Sequence, residues 1–181
     1  MAYKMRIPEA WIKANPNAAK FSFLFNLDGS VGPDCDNRIE DVMLVQYMLH
    51  RVLLERPYLG GSRPDSVGDW TGAKNLMKVN GSFDIVTRTL IVVYQMKNYP
   101  TKVRILDGKV EPIGTHQTPP QGMLMSLNAD LRFATRGPQT DTIPTGLPDY
   151  RDIANSNAPP PLKQAVKDFR EVVTIAHVSR K

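Results

Sequence analysis

Two Asx-Gly turns bracketing a single helix constrain this chain more than any other feature. The stretch VNGSFDIVTRTLIVVYQ, Val79 to Gln95, opens on Asn80-Gly81 and runs into an apolar helical pattern. LDGKVEP, Leu106 to Pro112, repeats the turn in miniature. Glycine takes a positive φ without steric cost, and Asn or Asp bonds its own backbone two residues on.

The helix between the turns is predicted from Ile85 to about Asn98. Asp84 is its N-cap, Val86, Leu90, Val93 and Tyr94 form its inner stripe, and Pro100 stops it. An earlier helix starts at Asn37, where Asn37 and Glu40 have the spacing of a capping box. Its stripe runs Val42, Val45, Leu49, Val52 and Leu53, widened by Leu44, Tyr47 and Met48, which predicts burial on more than one side. A third helix is expected over 123–133 through Leu124, Leu127 and Leu131. Phe21, Phe23, Phe25 and Leu27 alternate with period two, a strand signal over 21–27 that Leu24 interrupts. Residues 134–161 read as a Pro-rich linker, and 162–181 as an amphipathic helix with Leu162, Val166, Phe169 and Val173 on its apolar face.

Three pieces in order resemble the peptidoglycan-binding-like domain family. VMLVQYMLHRVL resembles its first helix, V-x-x-L-Q-x-x-L-x-x-L, at Val42, Val45, Gln46, Leu49 and Val52. NGSFDIVTRTLIVVYQ resembles D-G-x-F-G-x-x-T-x-x-A-V-x-x-F-Q at Asn80, Gly81, Phe83, Thr87, Leu90, Ile91, Tyr94 and Gln95. DGKVEP resembles D-G-x-V-G-P at Asp107, Gly108, Val110 and Pro112. Asp84 and Glu111 stand in place of the pattern's glycines, and Gly114 in place of a threonine. The segment 56–78 is longer than the family's connection. The resemblance implies a mainly α fold: a small three-helix bundle over 37–133 with an insert at 56–78. A 1–36 arm bearing the strand would precede it, and the Pro-rich arm and terminal helix would follow.

The functional expectation is a non-catalytic module that binds cell-wall peptidoglycan or positions itself at the envelope. The alternative is a structural or adaptor subunit of a phage-tail-like or secretion assembly, using the same fold for protein contact. Gly81 and Gly108 are read as turn formers, Phe83 and Val110 as plugs between helices, and Gln46 and Gln95 as side chains that tie the turns down. Asn80 and Asp107, with the aromatics Tyr58, Trp70 and Tyr99, are the candidate ligand contacts. Leu162, Val166, Phe169 and Val173 are the candidate partner-docking face, with a homo-oligomer as one form of that docking.

Catalytic and metal chemistry are not expected, nor is a cofactor. His50, His116 and His177 are scattered without ligand spacing. Asp34, Asp36 and Glu40 suggest a calcium loop, but Arg38 and Ile39 occupy positions that need an oxygen ligand and a glycine. The single cysteine, Cys35, permits no internal disulfide. At 41% hydrophobic, the 181 residues suffice for one modest core.

No apolar run is long enough to span a bilayer, and MAYKMRIPEAWIKANPNAAK lacks the apolar centre of a secretory signal. Cytoplasmic synthesis is expected, with delivery to the envelope or incorporation in a phage-like particle as the end point. The net charge of +5 is concentrated at the ends: +3 over 1–25 and +3 over 151–181, against −1 over 26–100 and 0 over 101–150. Basic ends around a neutral centre read as solvated tails, and nucleic acid is not the expected partner.

Overall fold

The computed structural model describes residues 1–14, 23–54, 76–100, 103, 105–114, 122–136, 153–154, 156–167 and 169–170. Within them the fold is mainly helical with one small sheet. In order the elements are β1 (Tyr3–Met5), α1 (Glu9–Ala14), β2 (Leu24–Asn26), α2 (Ile39–Leu49), α3 (Ile85–Asn98), α4 (Met123–Arg136), α5 (Pro160–Ala165) and β3 (Phe169–Arg170). A π-helical turn, His50–Leu54, extends α2. No helix among the described residues is long and apolar enough to cross a membrane.

The centre of the molecule is α2. Every residue from Asp41 to Leu49 is buried, so the broad apolar stripe read from the sequence has neighbours all round. It packs against α3, α4 and α5, while its π-helical extension meets α4. The expected capping box is absent. Asn37 takes a positive φ of 48°, and Arg38 is the N-cap without a side-chain bond. The Asn37 carboxamide is engaged elsewhere. It accepts from Gly32 N at 2.9 Å and donates to Gly32 O at 2.8 Å and Cys35 O at 3.1 Å. A short amide side chain that matches both backbone groups of Gly32 closes the preceding loop, and this outcompetes the cap.

Helix α3 starts as expected. Asp84 Oδ1 accepts from Thr87 N at 2.8 Å and from Thr87 Oγ1 at 2.7 Å. Its buried face is Thr87, Leu90, Ile91, Tyr94, Gln95 and Asn98, while Val86 and Val93 are only half-buried. The face is rotated from the expected stripe because polar side chains with internal partners share it. Helix α4 extends to Arg136 and buries Leu124, Leu127 and Leu131.

The strand at 21–27 is observed only as Leu24–Asn26, with Phe21 and Ser22 outside the described residues. Leu24 and Phe25 are both buried, so the strand is covered on both faces and alternation has no meaning there. Asn128 of α4 grips it, accepting from Phe25 N at 2.8 Å and donating to Phe25 O at 2.9 Å. The arm also holds a helix that periodicity missed: Trp11 of α1 is buried in the core, and Glu9 pairs with Lys13 at 2.8 Å.

The C-terminal expectation is corrected most. Prolines at the first turn of α5 fit a helix start, but the helix ends at Ala165, and Val166 caps it with φ −95° and ψ 11°. Phe169–Arg170 then pairs as a parallel strand with β1, giving sheet order β2-β1-β3. Leu162 and Val166 are buried in the protein's own core, so they are not a free face for a partner. The helical pattern yields because tertiary partners are on offer: ladder bonds to β1, and an Arg170–Asp28 ion pair at 3.0 Å. Val173 lies outside the described residues.

Candidate functional site

Both Asx-Gly turns are held by a buried glutamine, in the same way. Gln46 Oε1 accepts from Asn80 N and Gly81 N, each at 3.0 Å. Its Nε2 donates to Ser82 O at 2.9 Å, Thr87 Oγ1 at 3.0 Å and Asn80 Oδ1 at 3.3 Å. Gln95 Oε1 accepts from Gly108 N at 2.9 Å, and its Nε2 donates to Lys109 O at 2.9 Å and Asp107 Oδ1 at 3.1 Å. A carboxamide carries a donor and an acceptor side by side, so it can bridge the outward N–H and C=O of one tight turn. The glycines have φ of 79° and 74°, the left-handed region the turns require. Asn80 and Asp107 also accept from the backbone two residues on, at Ser82 N and Lys109 N, each at 2.9 Å.

A third Asp-Gly pair escaped the sequence reading, alike in sequence but not in conformation, since Gly29 does not take the positive φ of Gly81 and Gly108. LDGSV, Leu27–Val31, matches LDGKV, Leu106–Val110, at four of five positions. Here the holder is a carboxylate: Asp41 accepts from Asp28 N at 3.3 Å and Gly29 N at 3.0 Å. The two LDG copies meet through Val31 and Val110, which exchange backbone hydrogen bonds of 2.9 and 2.7 Å. Val110 is thereby buried as a plug, and Phe83 packs half-buried against the core.

Beside the Asp107-Gly108 turn lies a groove of about 210 Å³. The buried part of its apolar lining is Val103, Ile113, Met123 and Leu124, with exposed Ile105 at its edge. One rim is Asp107, Lys109 and Glu111, which follow one another out of the turn while Gly108 and Val110 between them are buried. The opposite wall is Gly122 to Met125, the entry to α4, where the helix leaves backbone N–H groups without intrahelical partners. Among the described residues Lys109 and Glu111 make no ion pair, so the rim presents negative, positive and negative charge in order. Asn26 fixes the lining from behind, accepting from Ile113 N at 2.7 Å and donating to Ile113 O at 3.1 Å.

Asp107 is therefore at the groove and Asn80 is not, although each holds its own turn and meets its glutamine in the same way. Tyr99 is exposed but does not line the groove. Tyr58 and Trp70 lie outside the described residues. Lys109 and Glu111 were missed, although the period-two charge pattern of DGKVE marks them. No group of His, Cys, Asp or Glu among the described residues could hold a metal ion. Burial pushes the Cys35 thiol up, helped by the Asp107 and Asp34 carboxylates and opposed by Lys109. That shift makes the thiol a poorer nucleophile. No protein-family model, no curated protein and no solved structure matches the chain.

Proposed function

We propose that the protein is a non-catalytic recognition module, a three-helix unit of peptidoglycan-binding-like type, that holds one unit of a cell-wall polymer in this groove. The observation that carries the reading is the groove itself: an apolar lining with a rim of alternating charge on a turn that Gln95 holds in place. At about 210 Å³ it is smaller than the ~300–1,000 Å³ of a typical small-molecule pocket. It suits one residue of a longer chain lying across the surface. A rim of mixed sign suits a polymer bearing both amino and carboxylate groups, as the peptide stems of peptidoglycan do.

Co-sedimentation with purified peptidoglycan tests this. The protein should pellet, and Lys109→Glu or Glu111→Lys should leave it in the supernatant with an unchanged melting temperature. A protein that stays in solution at low salt overturns the reading.

A second reading, an assembly subunit, rests on exposed apolar side chains at and just after the end of α3: Met96, Tyr99 and Leu106. Apolar surface gathered in this way marks protein contact. Light scattering would show association that Met96→Lys abolishes; a monomer at every concentration removes the homo-oligomeric form.

A further inference from the structure

The basic ends of the chain, distant in sequence, meet on one sheet. Strand β1 carries Lys4, which pairs in register with Phe25 on β2 and with Phe169 on β3. Arg6 follows two residues later. Lys4 Nζ sits 5.0 Å from the Phe23 ring centroid and 5.7 Å from that of Phe169, and the Arg6 guanidinium lies 5.8 Å from the Phe169 ring. Phe23 and Phe169 pack edge to face at 5.9 Å. Phe169 is 48% exposed, and Arg6 is exposed beside it. Arg170 differs, because it is committed to Asp28. Lys4 and Arg6 make no ion pair among the described residues.

We propose that this sheet face binds single-stranded nucleic acid. Such binding needs cations that follow a phosphate backbone and an aromatic ring on which a base can rest. Both are present here and interleaved. On binding, Lys4 and Arg6 exchange the Phe169 ring for phosphate, which frees the exposed ring for a base. Lys4 is in β1 and Arg6 one residue past its end, so the two charges are roughly 6.5 Å apart along the chain where it leaves the strand. The exposed ring favours a nucleic acid over a phosphate polymer without bases, which has nothing to place on Phe169. The site is on the sheet, and neither needs the groove nor competes with it.

Fluorescence anisotropy of a short labelled single-stranded DNA with the full-length protein tests the proposal. Binding should weaken with salt, log K falling against log salt with a slope of about −1.4 for two released counterions, and about −0.7 in Arg6→Gln. Phe169→Ala should bind about tenfold more weakly. Lys109→Glu, in the groove, should bind DNA as the unaltered protein does. Amide shifts at Lys4, Arg6 and Phe169 on adding DNA to the unaltered protein give a readout that no variant's folding can disturb. No anisotropy change at low salt overturns the proposal. So does binding that Phe169→Ala leaves intact and that base-free polyphosphate matches, which would mark a generic polyanion surface.

Discussion

Gln46 and Gln95 close their turns with matching hydrogen bonds, yet the two turns differ in what lies against them. Gly81 is packed under α2: a Cβ there would lie 2.6 Å from Ile39 Cγ2 and 2.9 Å from Ile39 O. At Gly108 the nearest atom, Val92 Cγ2, would be 3.5 Å away, and the turn borders the groove. One copy of the device serves packing. In the other it supports the rim of the groove, the surface a ligand could use.

The largest effects should come from the glutamines. Gln46→Ala leaves the buried Gly81 N–H and the part-buried Asn80 N–H and Ser82 O without their partner, beneath a fully buried side chain. Each buried orphan costs about 1–3 kcal/mol, and the cavity adds to it, so about 4 kcal/mol is expected. Gln95→Ala removes fewer bonds beside the groove, where water can replace some of them, and about 2 kcal/mol is expected. Urea unfolding of the two variants measures the difference; equal losses would mean that the groove is no wetter than the packed turn.

The glycines come next. Any L-residue at φ near 79° or 74° carries a conformational cost of roughly 1–2 kcal/mol. Gly108→Ala should show that cost alone, about 1 kcal/mol. Gly81→Ala should lose about 3 kcal/mol, because the backbone oxygen of Ile39 cannot move aside as a side chain can. If the two substitutions were equally harmful, the packed and open turns would not differ in the way the distances indicate.

The sequence displays these turns openly because their chemistry is local. Asn-Gly, Asp-Gly, the Asp84 cap and the amphipathic helices depend on neighbours a few residues away. Long-range partners hide the rest. Asn37 has the spacing of a helix cap, yet bonds Gly32. Phe169 has the spacing of a helix face, yet finds Lys4, 165 positions earlier in the chain. The groove was half legible. Asp107 was named from its turn, whereas its opposite wall comes from α4, and only the fold brings the two together. Charge misled most plainly, since two basic ends read as separate tails form adjacent strands.

The Asp28-Gly29 bend gives the smallest and most specific effect, because Asp41 holds it with a carboxylate where the two turns have an amide. Burial raises the Asp41 pKa above its ordinary 3.8, against the pull of the Gly29 and Asp28 N–H groups. An acid whose folded pKa is raised gives stability at low pH that is lost as pH climbs from the ordinary value through the raised one. Asp28 is opposite. Burial alone would raise its pKa, but the terminal ammonium and the Arg170 guanidinium outweigh burial and lower it. Its contribution is present above the ordinary value and is lost as pH falls through the lowered one. Urea unfolding between neutral and strongly acidic pH should separate them. Relative to Asp41→Asn, the unaltered protein should gain stability as pH falls toward 3.8. Relative to Asp28→Asn, it should lose stability below that value. The deficit of Gln46→Ala should not change through either window, because a carboxamide does not titrate. A Gln46→Ala deficit that followed the Asp41 curve would mean that the carboxylate-held bend and the amide-held turn unfold as one linked unit.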